Sequence, residues 1–171
     1  VIAQSHLEIL TKELGESCSA SVLDDADIIY TARSAANRIM SINLAVGQRL
    51  PAYATSMGRV LLAFSPEPVI SDYLQQYERT QFTDQTVTAE KALLSILRET
   101  AKQGWAMIDQ ELEEGVRSIA VPVRDPAGKV LIAINVSVHA TRVSTEVLKS
   151  EFLPKLSNAA REIEADLLNR P

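Results

Sequence analysis

"RSIAVPVRDPAGKVLIAINVSVH", residues 117–139, holds two runs of alternating apolar residues around Asp-Pro-Ala-Gly. Alternation of period two on both sides of a turn signal predicts a β-hairpin. Its loop has two readings: three residues with a glycine bulge, or four residues built on a type I turn with Asp125 first and Pro126 second. They differ by one residue of register, and a one-residue slip moves every side chain to the other face. The hydrophobic pattern selects between them. Ile119, Val121 and Val123 belong with Ile132, Ile134, Val136 and Val138 on the core face, which requires the four-residue loop. Ser118, Ala120 and Pro122 then share the second face with Leu131, Ala133, Asn135 and Ser137. A solvated face of an antiparallel sheet usually carries Lys, Glu, Arg or Thr. This one is small, with polar groups at one end, so a covered pocket is expected.

Upstream, "PAYATSMGRVLLAFS" (51–65) reads as the start of a helix over about 55–64. With Thr55 as N-cap, Ser56, Met57 and Gly58 are first-turn residues whose N–H groups lack intrahelical partners. Glycine at this position costs about 0.5–1 kcal/mol relative to alanine. Two explanations compete: close helix packing at Gly58, or approach of an anion to the exposed amides. Alone, packing is the better account. Beside a small-residue sheet face, the anion site is the expectation.

The remaining pattern fits an antiparallel sheet with helices. A helix from the start of the chain stops at Gly15. "SCSASVLDD" (17–25) and "DIIYTARS" (27–34) form a hairpin, and "NRIMSINLAV" (37–46) alternates as a third strand. A short helix runs from Pro66 to about Tyr77, and a loop covers 78–87. Thr88 caps an amphipathic helix to Lys102, closed by Gly104. "WAMID" (105–109) is a strand, and residues 110–115 form an acidic connector. A long helical pattern from Ser144 to Asn169 is kinked or restarted at Pro154. The fold class is α+β, an antiparallel sheet flanked by helices.

The chain has 171 residues, 46% of them hydrophobic, which suits one domain with a true core. Seventeen basic and 22 acidic residues give a net charge of −5, against a chain that holds nucleic acid through phosphate contacts. The single cysteine, Cys18, excludes an internal disulfide and fits a reducing cytoplasm. No apolar run approaches the roughly 20 residues that span a bilayer, so no membrane role is expected. The chain opens on Val1 inside a helical pattern, and a preceding segment is expected.

Three motifs, "LPAYATSMGRVLLA", "DQELEEGVRSIAVPVRDPAGKV" and "AINVSVHATR", resemble the effector-binding domain of IclR-family transcriptional regulators. The resemblance covers nearly the whole chain, 1–171, in the same order. It is strongest toward the branch controlling aromatic-acid catabolism through the β-ketoadipate pathway, regulators of the PcaR, PobR and PcaU kind. It implies a GAF-like fold, homodimers or homotetramers, and DNA contact only through an N-terminal winged helix-turn-helix outside this chain. It also implies a small organic-acid effector such as protocatechuate, 4-hydroxybenzoate or β-ketoadipate, held between the helix start and the sheet. Carried over by motif, the ligand-binding residues are Thr55, Ser56, Met57, Gly58, Asp109, Ser118, Asn135 and Ser137. Glyoxylate-responsive members usually have cysteine at the position of Ser118 and serine at that of Asn135, so a different effector is expected.

Other chemistry has weaker support. Asp109, Glu111, Glu113 and Glu114 with Arg117 raise the alternative of a small enzyme. They follow a strand end without a nucleophile or metal set, and read as a solvated turn with an arginine partner. A dimerisation module without ligand is the other alternative. His6 and His139 lie far apart, no metal-ligand spacing occurs and no cofactor is implied. Trp105 and Met107 read as core or pocket wall, Cys18 as core, and Arg33 and Arg117 as further carboxylate partners or surface charges. The expected role is ligand sensing without catalysis.

Overall fold

The terminal hairpin has the expected faces but reaches them by another route. In the computed structural model, which describes residues 2–36 and 44–170, Val116–Arg124 (β5) pairs with Val130–His139 (β6). Ile119 lies opposite Val136, Val121 opposite Ile134 and Val123 opposite Ile132, while Ser118 faces Ser137 and Ala120 faces Asn135. The loop is nevertheless the three-residue kind. The Asp125 N–H donates to the Lys129 carbonyl at 2.8 Å, the Gly128 N–H donates to the Asp125 carbonyl at 2.9 Å, and Gly128 takes a φ of +87°. That loop alone would set Ile119 against Asn135. A bulge corrects it: Arg124 lies opposite Val130 and Val123 opposite Ile132, so Leu131 is skipped and left exposed. The four-residue loop is thus replaced by a short loop plus a compensating bulge, and the apolar rows meet.

Six strands form one antiparallel sheet in the order β3-β2-β1-β6-β5-β4. Ser17–Asp24 (β1) and Asp27–Ser34 (β2) make the expected first hairpin, and Arg49–Pro51 (β3) covers the β2 edge. Ala106–Asp109 (β4) closes the other edge against β5. The strand expected over 37–46 falls mostly on 37–43, outside the described residues, and Leu44–Val46 is not extended in a sheet. In the first hairpin Ala20 lies opposite Ala32 but Ser21 lies opposite Tyr30. Skipping Thr31 turns Ala32 and Tyr30, two residues apart, to opposite faces.

Helices cover both faces. Ile2–Leu14 (α1) and Leu153–Leu168 (α6) pack on the face carrying Cys18, Ala20, Ile119, Val121, Ile134 and Val136. Ser56–Ala63 (α2), Glu67–Gln76 (α3) and Glu90–Gln103 (α4) enclose a second core with Ile28, Tyr30, Ala106, Ala120 and Ala133. Small alanines on that face let α2 lie close to the strands. Thr88 does not cap α4: Ala89 holds the N-cap position without a side-chain bond, and the Thr88 carbonyl instead accepts from Arg79 Nε at 2.6 Å. Thr145–Val147 (α5), capped by Ser144, continues through a wide turn, Leu148–Phe152, into α6. There the Leu153 N–H donates five residues back to Leu148, which accommodates the missing donor of Pro154 without a break. Among the described residues no helix is long and apolar enough to cross a membrane.

Cys18 lies fully buried between the sheet and α1. Burial pushes its thiol up to about 12. The thiolate is the reactive species, so the native domain is expected to react with iodoacetamide roughly 100-fold or more slowly than the urea-unfolded chain. Native labelling within a few-fold of the unfolded rate, read by mass spectrometry, would show that this core face opens readily.

Candidate ligand-binding site

The small face of the sheet becomes the floor of a cavity, and α2 becomes its roof. Two rows of polar side chains cross this face of the sheet, Ser118, Ser137 and Ser17 in one and Asn135, Ser19 and Arg33 in the next; Ser118, Ser137 and Asn135 line the cavity itself. The start of α2 projects over them because the chain makes a single tight turn, Ala52–Ala54, before Thr55 caps the helix. Thr55 Oγ1 accepts from the Gly58 N–H at 3.1 Å and donates to the Ala52 carbonyl at 3.2 Å. This leaves the Ser56 and Met57 amides without an acceptor among the described residues. Helix and floor are joined by Ser118, whose hydroxyl donates to Ser56 Oγ at 2.8 Å, and by Ser21, whose hydroxyl donates to Met57 Sδ at 3.3 Å.

Apolar side chains complete the walls: Leu44, Leu50, Ile108, Leu112 and Val116. Tyr30 closes one side, and burial pushes its phenol up to about 12, with Arg33 pulling weakly the other way. It therefore stays protonated and able to donate. The cavity volume is about 40 Å³, room for roughly three water molecules. Asn135 is only 4% exposed; its Nδ2 donates to Ser137 Oγ at 3.3 Å, and its Oδ1 has no partner among the described residues. Buried polar atoms in native proteins are nearly always bonded, so this acceptor marks the cavity as more than a packing defect.

Six of the eight sequence-derived positions meet at this cavity: Thr55, Ser56, Met57, Ser118, Asn135 and Ser137. Two do not. Gly58 gives its amide to the cap, and its hydrogens lie against the preceding turn, where a Cβ would sit 2.1 Å from the Ala52 carbonyl oxygen. Packing, not ligand approach, accounts for the glycine. Asp109 points away because it is the neighbour in β4 of Ile108, which lies opposite Ser118 on the cavity face. Its carboxylate accepts from Arg117 Nε at 2.8 Å, and Arg117 also donates to the carbonyls of Ala140 and Val143. Trp105 and Met107 pack on the α1/α6 face and so are core rather than pocket wall. The alternation that set Asn135 inward also marks Ser17, Ser19 and Ser21, but pairing β1 to β6 needed the structure.

The acidic connector is not all solvated. Glu111 is buried and takes two bonds from Arg59 of α2, at 2.9 and 2.6 Å, and one from the Val87 N–H at 3.1 Å. Arg59 Nε is held by the Tyr53 carbonyl at 2.9 Å. Asp109 and Glu111 thus have structural partners, and among the described residues no cluster of His, Cys, Asp and Glu could hold a metal ion. The arrangement can bind and orient a small polar molecule.

Residues 1–165 match the family model described as bacterial transcriptional regulator IclR C-terminal. The chain belongs to the IclR family. The Pca regulon regulatory protein of Pseudomonas putida is 42% identical over 164 residues, 95% of this chain and 56% of that protein. A candidate transcriptional regulator from Rhodococcus sp. RHA1 superposes with a TM-score of 0.95 at 44% identity, covering 98% of this chain and 68% of the other. The inducer-binding domain of Acinetobacter PobR, a double mutant in complex with 3-hydroxybenzoic acid, superposes with a TM-score of 0.90 at 33% identity, covering 95% of each chain. This IclR-family chain spans about 60% of the curated relatives it matches: 56, 60 and 62% of three of them. Those relatives are named as transcriptional regulators, and the family is a regulatory domain rather than an enzyme.

Proposed function

We propose that the cavity between α2 and the sheet binds a small, partly apolar organic acid as the sensing step of a DNA-binding regulator. One observation carries the reading: two unpaired helix-start amides stand over a buried, incompletely bonded polar floor, with apolar walls around them. The Ser56 and Met57 amides suit a carboxylate through charge-assisted bonds and the helix dipole. Arg33, which donates to Ser19 Oγ at 3.2 Å and forms no ion pair among the described residues, supplies a cation in the adjoining row. The likeness to the PobR domain that holds 3-hydroxybenzoic acid supports a monocyclic aromatic acid. Such a ring needs more than 40 Å³, and Leu44 and Leu112, both on connectors, are the walls that yield while the sheet stays fixed. Ligand free energy then acts on the assembled regulator by favouring one homo-oligomeric arrangement over another, which requires unequal affinity for the two.

The test is a thermal-shift and calorimetry panel of 3- and 4-hydroxybenzoate, protocatechuate and β-ketoadipate. A ligand at 100 times its Kd adds about 2.7 kcal/mol, which in a domain of this size raises Tm by roughly 5–10 °C. A shift of that size with at least one acid is expected, and none with any acid at millimolar concentration would overturn the reading.

A further inference from the structure

The sheet face under α1 and α6 carries a larger opening than the one under α2. β1 and β6 pair only from Ser17–Ser137 to Ser21–Ala133, and beyond that point they are no longer partners. A bulge flanks the gap on each side, skipping Thr31 in β2 and Leu131 in β6. The start of α1 and the end of α6 lie across it without filling it, and a groove of about 380 Å³ remains. Pockets that hold small ligands run from about 300 to 1,000 Å³. This groove has that size as it stands, whereas the cavity under α2, at about 40 Å³, must open. We infer that the groove is a second ligand site, separate from the cavity under α2, and that it takes a medium-chain aliphatic monocarboxylate such as decanoate.

The lining selects the tail. Ala3, Ala32, Val123 and Ile163 are buried at the bottom, and Ile2, Ile132 and Leu167 form half-buried walls. All are aliphatic, so an alkyl chain is rewarded for every methylene it buries. No aromatic side chain lines the groove to stack on a ring.

The mouth selects the head group. Arg170, just past the end of α6, is the only charged residue lining the groove; it is exposed and forms no ion pair among the described residues. Thr31, which the β2 bulge leaves without a cross-strand partner, adds an exposed hydroxyl that meets no partner among the described residues. Polar groups at the mouth and apolar groups beneath match an amphiphile whose carboxylate takes charge-assisted bonds from the guanidinium. An ammonium head on the same tail would meet Arg170 as a like charge.

The test is calorimetry on this domain with hexanoate, octanoate and decanoate below their micellar concentrations, and decylammonium as the control for charge. Each added methylene is expected to tighten binding about three- to four-fold, and decanoate to bind about five-fold or more tightly than decylammonium. Arg170→Glu, at an exposed position past the helix, should weaken decanoate about five-fold or more without lowering Tm, and high salt should erase the difference. Leu167→Trp, which fills the groove, should abolish decanoate binding. If that variant folds poorly by circular dichroism, the chain-length series and Arg170→Glu still decide. Absence of decanoate binding, affinity independent of chain length, or binding that survives a folded Leu167→Trp overturns the inference. So does self-association in sedimentation that Leu167→Trp abolishes and decanoate leaves untouched, which would make the groove an interface between copies of the chain.

Discussion

Glu111→Gln is expected to lower Tm by about 6–20 °C, the equivalent of roughly 3–5 kcal/mol in a chain of this length. The Arg59 side chain is 3% exposed and that of Glu111 11%, so neither charge can fall back on water when its partner is neutralised. The loss would not be confined to one bond. Glu111 accepts from Arg59 twice and from the Val87 N–H, and its backbone carbonyl accepts from the Thr86 hydroxyl. It thereby ties α2, the segment before α4 and the connector that carries Leu112 over the cavity. A buried ion pair is a poor source of net stability, because two charges must be desolvated to make it. Hence the companion expectation: Arg59→Met with Glu111→Leu should be less destabilised than either single variant. Urea unfolding of Glu111→Gln, of Arg59→Met and Glu111→Leu singly, and of the double variant measures both. Single-variant losses under about 1 kcal/mol would place the pair in effective contact with solvent, at the strength of an exposed ion pair.

What could be read from the sequence follows the range over which each signal acts. The faces of β5 and β6 were legible because seven apolar residues vote on one register, and the fold honours that vote even though the loop is shorter than the pattern demanded. The Leu131 bulge that reconciles them has no local signature. Thr55 was legible as a cap, since its oxygen meets an amide three residues on, whereas Thr88 was misread because Ala89 takes the capping position. Asp109 was carried over from a family motif, although alternation with Ile108 already turned it from the pocket. Arg59 was invisible: an arginine in a helix acquires meaning only from Glu111, 52 residues later. Tyr30 depends on the Thr31 bulge, and Ser19 on the β1–β6 pairing, so the floor beyond the last hairpin waited for three-dimensional structure.

Gly58 is where sequence and structure give opposite signs for a measurement. In an unobstructed helix, alanine for glycine stabilises by about 0.5–1 kcal/mol. Here a Cβ would lie 2.1 Å from the Ala52 carbonyl oxygen, 2.4 Å from its Cα and 2.5 Å from Thr55 Oγ1. Two of these are backbone atoms of the turn that launches α2, so relief requires the turn or the helix to move. The same shift would stretch the Thr55 cap, whose donor is the Gly58 amide itself. Overpacking of this kind costs about 1–3 kcal/mol and sometimes more, enough to reverse the propensity gain. Gly58→Ala is therefore expected to destabilise the ligand-free domain by about 2 kcal/mol, and Gly58→Val, bulkier and β-branched, by about 4 kcal/mol or more. Urea unfolding without ligand is the decisive measurement, because displacing the first turn of α2 would also weaken binding and hide the cause. A Gly58→Ala domain as stable as wild type but impaired in acid binding would return the glycine to the ligand. Loss of stability in the absence of any acid assigns it to the contact with Ala52.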